Sequence, residues 1–169
     1  VEEPLRRWDA VGHARLSAAV RSAVATGENL TGIDQFRPLF DAGAPDIVQS
    51  GAIWGVTHFL RLSYAAAARD LPVSIVGYNT NPAVAAVAAA VPNHLTTEVQ
   101  DLGFAPGLLV DQELVDGGIV LGDVPGAGIA IDEAAIEGAV NSAGWANPAG
   151  PHSRPDRAGL RLVLYGVER

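Results

Sequence analysis

Short apolar, β-branched runs recur along this chain, and their ends fall near residues 2, 28, 50, 76 and 98. Intervals of 22 to 26 residues are the length of one strand-loop-helix-loop unit. Repetition of that unit builds a parallel sheet, either open and doubly wound or closed as a barrel. The first strand shows only its end, at Val1. Strands follow at residues 23–26, 46–49, 72–76 and 94–98, with helices at 9–20, 33–42, 56–69 and 82–90. Val11, Leu16 and Val20 give the first helix its apolar side. Pro38 is read as early in the second helix, where a proline does least damage, and Pro82 opens the fourth at a position helices accept.

The repeat sets limits on the fold. No Gly-x-Gly-x-x-Gly follows any strand, which disfavours a dinucleotide-binding sheet. A closed barrel takes eight strands and roughly 250 residues. Four whole strands and the tip of a fifth amount to half of one, with two open parallel edges. The missing half is expected from an upstream segment or from a second copy of the chain.

After about residue 102 the rhythm changes. Residues 108–111 and 118–121 flank a turn at Asp116-Gly117 and read as a hairpin. Residues 125–129 read as a loop, and Asp132 as the cap of a short helix over 133–140. Residues 147–158 are loop-like, and a final strand is expected at 160–165. The expected division is therefore a half barrel over residues 1–103 and a covering segment over 104–169.

Composition narrows the function classes. The 169 residues carry a net charge of −8, which suits no phosphate backbone, so nucleic acid is disfavoured as a partner. The longest apolar stretch, residues 83–91, is too short to span a bilayer, and no signal peptide is visible. Absence of cysteine excludes disulfides and thiolate metal sites and suits a cytoplasmic protein.

In barrels of this kind chemistry collects where the strands end. Three carboxylates fall there: Glu2, Glu28 and Glu98. Glu3 neighbours Glu2, but strand alternation aims it the other way. Adjacent strands lie about 4.8 Å apart, so Glu2 and Glu28 can converge on one oxygen-seeking cation. Magnesium is the natural candidate, because no His or Cys joins the cluster. By spacing alone, a glutamate after a strand is more often a helix cap or a solvated loop residue than a metal ligand.

Local motifs favour the metal site. Val1-Glu2-Glu3-Pro4-Leu5 resembles the Glu-Glu-Pro strand end of the mandelate racemase / muconate lactonizing branch of the enolase superfamily. Ala25-Thr26-Gly27-Glu28-Asn29 resembles that branch's Gly-Glu-Asn strand end at the family's separation. Residues 44–49, Gly55-Val56-Thr57, and Pro125-Gly126-Ala127-Gly128-Ile129 with Asp132-Glu133 resemble later segments in the same order. The resemblance runs through roughly residue 140. It implies the second half of an α/β (β/α)-barrel, with an N-terminal capping domain and first barrel half outside this chain. It implies a magnesium-dependent enzyme that removes the proton next to a substrate carboxylate and passes through an enediolate. Dehydration or epimerisation of a hydroxy or sugar acid is the expected reaction. Glu2 and Glu28 become the second and third metal ligands, and Glu98 matches a carboxylate that contacts the enediolate. The partner is a small carboxylate substrate, handled by a homo-oligomer.

The chain departs from the family pattern where a base should stand. General acid/base work needs a group that exchanges a proton near working pH. The family's His and orienting Asp fall on Val76 or the loop Gly77-Tyr78-Asn79, and on Gly51. The other subgroup uses a Lys, and this chain contains none. The loop from Ser50 to Gly55 is about two residues shorter than usual. A catalytically degenerate barrel with a binding or structural role therefore stays open beside the enzyme. Tyr78, Asn79 and Asn81 are candidates to hydrogen-bond a hydroxylated substrate or simply form a polar loop, and Gln100 and Asp101, after the last strand, are further candidates to touch it. Trp54 is expected to pack under its loop, His58 to be solvated on an outer helix, His94 to be structural, and His13 and His152 to lie on the surface.

Overall fold

A computed structural model of the chain describes residues 1–51, 54–77, 83–99 and 105–143. Its centre is a four-stranded parallel sheet, β1 (Ala25–Thr26), β2 (Ile47–Ser50), β3 (Val73–Ile75) and β4 (His94–Thr97), in that order. Helices α1 (Ala10–Ala19), α2 (Ile33–Asp41), α3 (Val56–Ala67) and α4 (Val84–Ala89) alternate with the strands, and each packs against the next. Glu2 forms one parallel bridge to Ala25, so the tip of a fifth strand flanks β1. The repeat read from the sequence is the repeat observed.

The helices cover one sheet face. In α3 the buried residues Phe59, Leu62, Ser63 and Ala66 follow the spacing of a single helical stripe. Phe36 and Leu39 of α2 join them, and Val48, Val73 and Ile75 meet them from the sheet. Burying each such side chain contributes about 1.5–3 kcal/mol. The other face carries the residues of opposite parity, Glu2, Ala25, Ile47, Gln49, Ser74 and Thr96, in register across the strands. It is more polar: the Ser74 and Thr96 hydroxyls lie 3.0 Å apart. An extra residue in β4, between His94 and Thr96, leaves Leu95 half exposed.

Several expectations need correction. The inward side of α1 is Ala10 and His13, while Val11 and Val20 face solvent. The Asp9 cap, whose Oδ1 accepts from Gly12 N at 2.8 Å, and a Ser17–Asp46 hydrogen bond of 2.9 Å fix the helix in that rotation. His13 is thus fully buried, not on the surface; its Nδ1 donates to Asp9 O. The first full strand is only Ala25–Thr26, because the Asp46 carboxylate takes the Val24 amide. Pro38 sits in the second turn of α2, where it removes the amide that would bond Asp34.

Beyond the parallel sheet, β5 (Leu108–Val110) pairs antiparallel with β8 (Ile129–Ile131), and β6 (Gln112–Val115) with β7 (Gly118–Leu121). The hairpin partner of residues 118–121 is therefore 112–115, not 108–111. Asp116 and Gly117 both have positive φ, 49° and 77°, the signature of a two-residue turn that locks Val115 opposite Gly118. Ile129 belongs to a strand rather than a loop. Helix α5 (Glu133–Ala143) is capped as expected, with Asp132 Oδ1 accepting from Ala135 N at 3.0 Å. The expected division near residue 103 and the strand at 160–165 lie outside the described residues. No helix among the described residues is long and apolar enough to cross a membrane.

Candidate metal centre

Glu2 is set by the sheet. Glu3 N donates to Ala25 O at 2.9 Å and Ala25 N to Val1 O at 2.8 Å, which aligns Glu2 beside β1. Its Oε1 accepts a 2.9 Å hydrogen bond from Gln49 Nε2. Gln49 stands on β2, two strands away, so the bond must pass over β1. The residues of matching parity there are Ala25 and Gly27, which have little or no side chain. Gly27 is required for a second reason. Its φ is +121°, and a Cβ would lie 2.5 Å from Phe36 Cε1 and 2.8 Å from Gln49 O.

The turn at Gly27 delivers Glu28, half-buried, to the end of the sheet. Asn29 Nδ2 donates to Glu28 Oε1 at 2.8 Å and to Glu3 Oε2 at 3.0 Å. Glu3 is therefore not turned away as alternation predicted. Its φ of 35° breaks the extended backbone and swings the side chain toward Glu28. Its Oε1 is buried without a hydrogen-bond partner. Glu98 follows β4, exposed, with its amide donating to Ile75 O at 2.7 Å.

The carboxylates act on one another. Burial holds the Glu28 carboxyl above the usual carboxylate range, and the negative charge of Glu3 pushes the same way. The Asn29 hydrogen bond opposes them, while Glu2 and Glu98 add smaller upward pushes. Repulsive oxygens with no nitrogen or sulfur among them suit a hard cation, and magnesium accepts one or two protein carboxylates with water and substrate completing its shell. Among the described residues no group of three His, Cys, Asp or Glu could hold a metal unaided. Glu2 and Glu28 are the oxygen donors that the described residues could offer such a cation, as part of a site and not a complete one.

The other candidates divide. Tyr78, Asn79, Asn81, Gln100, Asp101 and His152 lie outside the described residues. Trp54 is 44% exposed instead of packed under its loop. His58 is half-buried, not solvated: its Nε2 is buried without a partner, and burial pushes the imidazole pKa down. His94 is exposed, its Nε2 2.9 Å from Thr97 Oγ1. Gly51, Val76 and Gly77 follow β2 and β3, so no described strand end offers a base there. Glu3, Asn29 and Gln49 were given no role by sequence reasoning. The small residues at 25 and 27, in register between Glu2 and Gln49, were the signal for the last of them.

Comparison with known proteins agrees with this fold. The family described as Enolase C-terminal domain-like matches residues 1–135. The L-talarate/galactarate dehydratase of Salmonella typhimurium is 41% identical over 69 residues, covering 40% of this chain and 17% of that protein. Its crystal structure superposes with a TM-score of 0.69 at 30% identity, over 80% of this chain and 34% of that one. An enolase from Bradyrhizobium complexed with magnesium and mandelic acid gives a TM-score of 0.69 at 28% identity, over 81% of this chain and 37% of that one. The chain spans about a third of the length of these solved structures. A parallel β/α repeat, carboxylates at its strand ends and a family match over most of the chain converge: this chain belongs to the Enolase C-terminal domain-like family, in the mandelate racemase / muconate lactonizing branch of the enolase superfamily.

Proposed function

We propose that this chain is the second half of the barrel of a magnesium-dependent enzyme that removes the proton α to the carboxylate of a hydroxylated acid, with dehydration of a sugar acid as the leading reaction. The observation that carries the reading is the pairing of Glu28 with Glu3 through Asn29, with Glu2 on the neighbouring strand tip, where burial and the charge of Glu3 disfavour the ionised form of Glu28 until a cation arrives. The similarity to a galactarate dehydratase supports the substrate class. Glu2 and Glu28 are the metal donors in this reading, and Gln49 orients Glu2. When bound, magnesium supplies the positive charge that makes the proton next to the substrate carboxylate acidic. Glu98 faces the substrate from the last strand. The base comes from the other half of the barrel.

The test uses the full-length protein, magnesium and a panel of acid sugars in heavy water. Exchange of the α-proton, detected by NMR, is expected for at least one acid, and Glu28→Gln should abolish it. Absence of exchange with every acid, alongside normal magnesium binding, would overturn the reading. That result would favour the second one, a barrel retained for binding, which the lack of any His or Lys at the ends of β2 and β3 supports.

A further inference from the structure

We propose that Asn29 is a positioning residue of this centre: one side-chain amide ties the carboxylates of two adjacent strand ends into a fixed mutual orientation before any cation is captured. The inference rests on the reading of Glu28 as a metal donor. Asn29 Nδ2 lies 2.8 Å from Glu28 Oε1 and 3.0 Å from Glu3 Oε2. The NH2 of the amide, not its carbonyl oxygen, faces both side chains, and their oxygens accept. An NH2 has two hydrogens, one for each carboxylate. Glu3 belongs to the strand tip beside β1, and Glu28 and Asn29 to the turn that leaves β1. The amide is thus a cross-link between two staves at the point where their charges repel.

Fold stability does not explain this placement. Asn29 is exposed, and it caps no helix: the flanking turn is closed by Leu30 N donating to Gly27 O at 3.0 Å. What the amide restricts is the rotation of Glu28. Without it the Glu28 carboxylate would rotate freely, and the cation would have to fix it at an entropic cost. Groups that orient metal ligands in this way commonly change metal affinity by about 10- to 100-fold when removed.

Magnesium titration calorimetry on the metal-stripped full-length protein tests the idea, using wild type, Asn29→Ala and Asn29→Asp. The aspartate adds negative charge but removes both donors, so it separates positioning from simple attraction. Both variants are expected to bind magnesium about 10- to 100-fold more weakly, with metal-free melting within a few degrees of wild type. Unchanged affinity in Asn29→Ala would overturn the proposal, and so would tighter binding in Asn29→Asp. If Asn29→Ala does not fold, Asn29→Ser carries the same comparison. A wild type that binds no magnesium would instead remove the metal reading itself, and the proposal with it.

Discussion

The parallel repeat and the antiparallel ribbons after it are built on different terms. Through residue 99, Val24, Phe36, Phe59, Leu62, Val73 and Ile75 are fully buried between sheet and helices. Between residues 105 and 141 no residue is buried. Leu109, Leu114, Val120 and Ile131 are each more than half exposed there. Each unit of the repeat closes its own layer, because a helix returns over the strand it follows. A two-stranded ribbon has no such return and is marginal alone. The repeat therefore carries its own core, whereas the described ribbons have none.

Core truncation gives that contrast its largest test. Phe59→Ala should cost about 3–5 kcal/mol, since an aromatic side chain leaves a close-packed layer. Ile131→Ala in β8 should cost at most ~0.5 kcal/mol, as an exposed substitution does. Urea unfolding of the full-length protein reads both. A cost of several kcal/mol at Ile131 would break the comparison and show that the ribbon face is covered in the whole protein.

Glycine substitution sharpens the contrast at a smaller scale. Gly27 and Gly117 both have positive φ, +121° and +77°. A Cβ at Gly27 would collide with Phe36 and the Gln49 carbonyl, while one at Gly117 meets nothing within 4 Å. Gly117→Ala should therefore cost only the backbone strain, ~1–2 kcal/mol. Gly27→Ala should cost more than that, and should also weaken magnesium binding by moving Glu28 and Gln49. Equal melting temperatures for the two variants would contradict the account.

How much of this was legible beforehand follows the same division. The β/α repeat was readable because strand and helix differ in period and each unit is local in sequence. Glu2 and Glu28 were readable as strand ends. The side facing inward in α1 was not, because Ala10 and His13 carry less apolar signal than Val11 and Val20; rotation is fixed by Asp9 and by Ser17 reaching Asp46, a contact distant in sequence. Glu3 was misread because alternation holds only for extended backbone, and no residue type announces a φ of 35° at a glutamate. In the ribbons the turn chemistry of Asp116-Gly117 was read correctly. Its consequence, that the residues directly before the turn must be the partner strand, was not drawn.

The smallest expected effect separates charge from packing. In the metal-free protein, the Glu28 carboxyl is held above its usual range by burial and by Glu3, so the folded state disfavours its ionised form. A carboxyl with a raised folded pKa weakens the fold as pH rises from below its unfolded value through the folded one. Glu28→Gln removes that penalty. At pH 7 without magnesium it should be at least as stable as wild type, and the gain should vanish in acid below the ordinary glutamate range, where both states are protonated. Magnesium should reverse the order, stabilising wild type and not the variant. A Glu28→Gln protein less stable than wild type in the absence of metal at neutral pH would mean that the Asn29 hydrogen bond outweighs burial and repulsion. The cluster would then be a structural network first and a cation site second.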